Sequence, residues 1–177
     1  MGTRVIMLNG GSSSGKSTIA RRLQDVLPDP WLTLGVDTLV DMLPPSLLEG
    51  GVGIDLAAGS GVAVGEGFRE AERAWIVGVA AMARAGARVV VDEVFLGGSE
   101  SRARWRGPLE GLEVLWVGVR CDPDVAAARE AARGDRVTGM ARSQAALVHA
   151  GMTYDVEVDT ARSSPLECAR LIAAHAR

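Results

Sequence analysis

The sequence predicts a three-layer α/β domain in which helices cover both faces of a five-stranded parallel sheet. Three observations carry that expectation. Short apolar runs alternate with helical patterns along the chain, the central runs are apolar on both faces, and a glycine-rich loop joins the first run to the first helix. Strands that are apolar on both faces need cover on both, and intervening helices supply it.

The elements follow in order. Residues 4–8 read as the first strand, since Val5, Ile6, Met7 and Leu8 run without a polar break. Over residues 17–27, Ile19, Ala20, Leu23, Val26 and Leu27 recur at helical spacing, and Pro28 ends the helix. Residues 31–36 form a second buried strand, and residues 37–43 a short helix stopped by Pro44-Pro45. In residues 49–67, Val52, Ile54 and Leu56 alternate, a turn follows, and Val62 and Val64 alternate again. That pattern predicts a small glycine-rich flap or hairpin, with a plain surface loop as the alternative. Gly59, Gly61 and Gly65 lack both the spacing and the strand-to-helix setting of a dinucleotide fingerprint. A long helix over 68–85 carries Phe68, Ala71, Trp75, Val79 and Met82 on one face, with Gly86 as its cap. Strands over 88–94, 113–119 and 154–158 alternate with helices over 99–106, 125–132, 141–149 and 165–176. Residues 133–139 read as a loop. No repeat or linker divides the chain, so residues 1–177 are expected to form one domain.

Composition narrows the function classes. With 47% hydrophobic and 23% charged residues, the chain can close a core. Its net charge of −3 offers no footprint for a polyanion, which argues against a nucleic-acid partner. No stretch approaches the roughly 18 apolar residues of a membrane span, and the run 5–8 is too short for a signal peptide. Cys121 and Cys168 stand far apart without close Cys or His companions, so neither a zinc site nor a disulfide follows from them. A reduced, cytoplasmic protein with a small-molecule partner is expected. Self-association is left open.

Chemistry concentrates in the first loop. Gly10-Gly11-Ser12-Ser13-Ser14-Gly15-Lys16-Ser17 fits the phosphate-binding pattern G-x-x-x-x-G-K-[ST], between a strand and a helix. Its glycines let the backbone curl around phosphate oxygens, and the helix that runs on through Thr18 adds a positive N-terminal end. Lys16 is the only lysine among 19 basic residues, as befits a place where a compact ammonium is needed. Lys16 would reach the β- and γ-phosphates of ATP, and Ser17 would hold Mg²⁺. Because no second lysine exists, a guanine-reading Asn-Lys-x-Asp motif is excluded.

Further candidates cluster at strand ends. Asp92 and Glu93 close the run Val89-Val90-Val91, where an acid commonly reaches Mg²⁺; Asp92 is the stronger candidate, and a cap or turn is the alternative. Asp37 follows the second strand at the carboxyl edge of the sheet, where ligands sit. It suits a general base for an attacking hydroxyl and equally a helix N-cap. Arg129, Arg133 and Arg136 would share one side of a helix, as a lid over residues 129–139 closing on phosphate, or else as a solvated face paired with Glu130 and Asp135. His149 and His175 have no partner at catalytic spacing and read as structural, and the four tryptophans read as core. Together these features point to ATP-dependent phosphoryl transfer to an alcohol; an ATP-binding regulator is the reading from another class.

The chain resembles the chloramphenicol phosphotransferase family, whose fold is similar to that of nucleoside monophosphate kinases. The resemblance rests on Leu8-Asn9-Gly10-Gly11-Ser12-Ser13, Gly15-Lys16-Ser17 and Gly35-Val36-Asp37, and on Val94-Phe95-Leu96-Gly97-Gly98. It continues in Leu115-Trp116-Val117-Gly118-Val119-Arg120-Cys121-Asp122, in Ala132-Arg133-Gly134-Asp135-Arg136-Val137 and in Tyr154-Asp155-Val156-Glu157-Val158-Asp159-Thr160. It is weakest over residues 46–51 and 99–106. What it implies is ATP- and Mg²⁺-dependent phosphorylation of the primary 3-hydroxyl of chloramphenicol. Asp37 would then be the base, with phosphate contacts from Lys16, Arg133 and Arg136. Another small hydroxyl-bearing metabolite or antibiotic is the alternative acceptor.

Overall fold

A computed structural model describes residues 2–48, 53–55, 63–133 and 139–176. Its main sheet has five strands: β1 (Val5–Asn9), β2 (Trp31–Gly35), β5 (Arg88–Glu93), β6 (Val114–Arg120) and β7 (Val156–Asp159). They lie in the order β2-β5-β1-β6-β7, and every pairing is parallel. The central strand β1 is buried at all five positions, because β5 and β6 flank it and helices cover both of its faces.

Strand alternation decides which side chain meets which helix. Ile6 and Leu8 point to one face, against Ile19, Ala20 and Leu23 of α1 (Lys16–Val26) and Cys168, Ala169 and Ile172 of α7 (Pro165–His175). Val5 and Met7 point to the other, against Ile76, Val79, Ala80 and Ala83 of α3 (Glu66–Arg84) and Trp105 of α4 (Ser99–Arg106). A smaller cluster, Leu39, Leu43 and Phe68, docks α2 (Val36–Met42) on α3. Leu23 is fully enclosed between sheet and α7. Leu23→Ala is therefore expected to cost about 2–5 kcal/mol of unfolding free energy, read from urea denaturation; an unchanged midpoint would contradict this packing.

Helix ends follow local chemistry. Ser164 accepts from the Glu167 amide while the Glu167 carboxylate accepts from Ser164, which fixes the start of α7. At the far end of α3, the Gly86 and Ala87 amides return to Ala83 and Met82, satisfying carbonyls the helix leaves open. Ile54–Asp55 (β3) and Ala63–Val64 (β4) pair antiparallel, and Gly65 N–H donates to the Gly53 carbonyl. The hairpin expected over 49–67 is thus present at its described ends; residues 49–52 and 56–62 lie outside the described residues.

Several boundaries differ from expectation. The long helix begins at Glu66, two residues early, directly after the β4 pairing. The last strand begins at Val156 rather than Tyr154, because the Tyr154 ring lies across Gly118, where no side chain intervenes. Residues 123–133 form α5 and residues 140–147 form α6.

Candidate active site

The loop between β1 and α1 turns twice through left-handed backbone, at Ser13 (φ 56°) and at Gly15 (φ 93°), the N-cap of α1. Such reversals gather successive amides into a concave nest. A serine in this region costs of order 1 kcal/mol, strain of the kind found where backbone must approach a ligand. The first amides of α1 find no acceptor within the helix and face outward from its N-terminus.

Three contacts hold the loop from behind. Gln144 of α6 accepts from the Ser12 amide at 2.8 Å, Thr160 at the end of β7 donates to the Ser14 carbonyl at 2.7 Å, and Gly10 packs on the Val119 carbonyl. Arg129 of α5 reinforces the second, donating to Thr160 Oγ1 at 3.0 Å and to its carbonyl at 2.8 Å. Lys16 is 6% exposed; its Nζ donates to the Gly11 carbonyl at 2.9 Å and lies 3.7 Å from Asp92 Oδ1. Ser17 Oγ donates to Asp92 Oδ2 at 2.6 Å.

These groups open into a cavity of about 650 Å³ at the carboxyl edge of the sheet. Ser12, Ser13, Gly15, Lys16, Ser17 and Asp92 line it on one side, and α2, α3 and α4 wall it on the other. Asp37 lines the cavity from the first turn of α2 and is exposed there. The cap position itself falls to Gly35, whose amide donates to Thr38 Oγ1 at 3.3 Å, so Asp37 is not the N-cap allowed for by the sequence. Gly35 is required for a second reason: a Cβ there would run into the Asp92 carbonyl of β5. The bare backbone lets the ends of β2 and β5 close up, and so brings Asp37 and Asp92 to one cavity.

Other candidates stand elsewhere. Gly10, Gly11, Ser14 and Thr18 belong to the loop or its helix without lining the cavity, and the Ser14 side chain is buried. Arg129 turns to Thr160 and Cys121, because β7 ends on a hydroxyl and a carbonyl beside it. Arg133 ends α5; its side chain, and Arg136 with the centre of the expected lid, lie outside the described residues. Glu130 is not on a solvated face. It is 4% exposed and accepts from the Gly139 and Ala141 amides, both at 2.7 Å, tying α5 to the start of α6.

Glu93 forms part of the cavity wall with its pKa raised from 4.5 to about 8, by burial first and then by the charges of Glu72 and Asp92. It stands as a neutral acid at pH 7. Behind the loop, Asn9 accepts from the Phe95 amide and donates to the Val148 carbonyl and the Tyr154 hydroxyl, at 2.9, 2.8 and 2.7 Å. Tyr154 meets His149 Nδ1 at 2.6 Å, a partner for His149 that sequence spacing did not reveal. Burial lowers the His149 pKa to about 4, with Arg120 acting the same way, so the ring is neutral at pH 7. Unfolded histidine titrates near 6.5. As pH falls below that value the unfolded chain binds a proton the folded chain refuses, and stability drops. The expected loss is roughly 2 kcal/mol between pH 6.5 and 5. His149→Gln should remove that share of the slope, seen by comparing urea midpoints at the two pH values; an unaltered slope would contradict the assignment.

Nucleotide and metal both fit these residues. Ser13 lines the cavity with its backbone in the left-handed region, and its Oγ is buried without a hydrogen-bond partner among the described residues, a polar atom the loop leaves open. The Ser17 hydroxyl and Asp92 carboxylate are hard oxygen donors already in contact, and Mg²⁺ at phosphate sites takes few protein ligands. Among the described residues no group of three or more His, Cys, Asp or Glu could hold a metal, and no helix is long and apolar enough to cross a membrane.

Residues 3–177 match the family of chloramphenicol phosphotransferase-like proteins. A Mycobacterium tuberculosis protein named "Putative O-phosphotransferase" is 31% identical, over 94% of this chain and 79% of its own. Among solved structures, a sugar kinase from Janibacter sp. HTCC2649 superposes with a TM-score of 0.70 at 21% identity, covering 97% of this chain and 93% of that one. Shikimate kinase from Acinetobacter baumannii gives a TM-score of 0.61 at 16% identity, covering 96% and 90%. The sheet and its helices are those of a P-loop kinase.

Proposed function

The chain belongs to the chloramphenicol phosphotransferase-like family, and from that premise we propose that it transfers the γ-phosphoryl group of ATP to the primary 3-hydroxyl of chloramphenicol. Family and fold make it a kinase-type phosphotransferase acting on a small molecule; the antibiotic as acceptor and Mg²⁺ as the metal are the proposal. The observation that carries it is the sharing of one cavity by Lys16, Ser17, Asp92 and Asp37.

The chemistry asked of these residues is mainly positioning and charge stabilisation. Amides of the 10–17 loop and the N-terminus of α1 hold the β- and γ-phosphates, and Lys16 exchanges the Gly11 carbonyl for phosphate oxygen. Ser17 and Asp92 would hold Mg²⁺, which would supply neutralisation of the phosphate charge. Asp37 accepts the proton of the attacking hydroxyl, whose oxygen forms the new bond to phosphorus as the bond to the β-phosphate oxygen breaks. Arg133 and Arg136, from the lid expected over 129–139, would neutralise charge on the transferring group. Arg129 serves the nucleotide indirectly, through Thr160 and the loop carbonyl it steadies. Phosphorylated drug no longer suits its ribosomal site, so the reaction protects a cytoplasm that contains it.

Mass spectrometry of chloramphenicol after incubation with the protein, ATP and Mg²⁺ tests the proposal. One added phosphoryl group at the primary alcohol is expected. Unmodified drug, alongside ATP consumption with another alcohol, would replace chloramphenicol by that acceptor.

A further inference from the structure

On the wall opposite the phosphate loop, one carboxylate engages two guanidinium groups. Arg104 of α4 pairs with Glu72 of α3: Nη2 donates to Oε1 at 3.3 Å, and Nε lies 3.1 Å from Oε2 as an ion pair without a hydrogen bond. Arg69, one turn before Glu72, puts Nη1 2.8 Å from Oε2. All three line the cavity. Glu72 keeps 16% side-chain exposure, while Arg69 and Arg104 keep 35% and 33%. The carboxylate is therefore the enclosed member, and the arginines retain donors toward the open space.

The fork of an arginine is the usual recognition element for a carboxylate or phosphate on a ligand. Here a resident carboxylate takes one arm of the Arg104 fork and one Arg69 donor. Asp41 adds a further carboxylate to the same α2–α4 wall. An alcohol carrying its own anion meets the Glu72 carboxylate beside any donor it takes, and could claim the guanidinium arms Glu72 holds only by leaving that charge enclosed without its partners, which is strongly unfavourable. An uncharged acceptor group, such as an amide or nitro oxygen, needs only the donors that remain. Val36, Val40, Val64, Phe68 and Leu96 give its body apolar contact.

We propose that Glu72 is a specificity-determining residue: by occupying Arg69 and Arg104 it excludes anionic alcohols from the acceptor side of the cavity and leaves that side to uncharged ones. This rests on the cavity being the phosphoacceptor site, and does not depend on chloramphenicol being the acceptor.

The test compares Glu72→Gln with wild type on matched alcohols that differ in one charge: shikimate against its methyl ester, and gluconate against gluconamide. ATP consumption is followed at saturating ATP and Mg²⁺. Freeing both guanidiniums is expected to raise kcat/KM for each acid relative to its uncharged partner by about tenfold or more. Removing one of them again, in Glu72→Gln/Arg104→Gln, should reverse most of the gain. A purely structural role for Glu72 would lower all rates and the melting temperature together at constant ratio. That result, or a Glu72→Gln enzyme with no gain toward either acid, overturns the proposal. Chloramphenicol assayed alongside keeps the two readings apart: if it is not phosphorylated while the ratio shifts, the drug assignment falls and the charge filter stands.

Discussion

Lys16→Ala is expected to abolish turnover, with kcat at least about a thousandfold below wild type. The ammonium is nearly enclosed, held between the Gly11 carbonyl and Asp92 at the point where the triphosphate tail would lie. Nothing else can take its place, since the chain has no second lysine. Lys16→Arg should fail almost as badly, because a planar guanidinium does not fit a position that leaves 6% exposure. Single-turnover assays with melting curves would separate lost chemistry from lost fold. A folded Lys16→Ala protein with wild-type kcat would remove the loop from the mechanism.

Asp37→Asn should lower kcat by about 10²–10⁴ and leave ATP affinity nearly unchanged. The two readouts divide because Asp37 sits on α2, across the cavity from the amides and the ammonium assigned to the nucleotide. The substitution keeps the shape but exchanges one acceptor oxygen for an NH2 donor, and removes both the charge and the capacity to accept a proton. Calorimetry with a non-hydrolysable ATP analogue would report the affinity and steady-state assays the rate. If kcat stayed intact, the proton would have to leave by another route and Asp37 would be a positioning group at most.

Much of this molecule is legible in its order of residues. Val5, Ile6, Met7 and Leu8 can be satisfied only by a strand covered on both faces, and β1 is such a strand. The phosphate loop is equally plain, since its eight positions are contiguous and obey backbone rules. What stays hidden involves pairs brought together by folding. Gln144 reaches Ser12 across 132 positions and Thr160 reaches Ser14 across 146, separations over which no periodicity carries information. Glu72 and Arg104 lie on different helices and look like ordinary surface charges when each helix is read alone. Glu130 misleads for a similar reason. A charged residue amid alanines suggests solvent, yet the helix that begins after Gly139 has no capping side chain of its own, and that deficit was the available clue.

The burial of the lone lysine also makes the chain its own unfolding gauge. A protease that cuts only after lysine has a single target here, the bond following Lys16, at the start of α1 and largely closed to solvent. Cleavage must wait for that helix to open, so under gentle digestion the rate of appearance of a 16-residue fragment follows the population of opened molecules. Any ligand that seats on the loop slows the cut in proportion to its hold, and affinity can be read from a gel without catalysis.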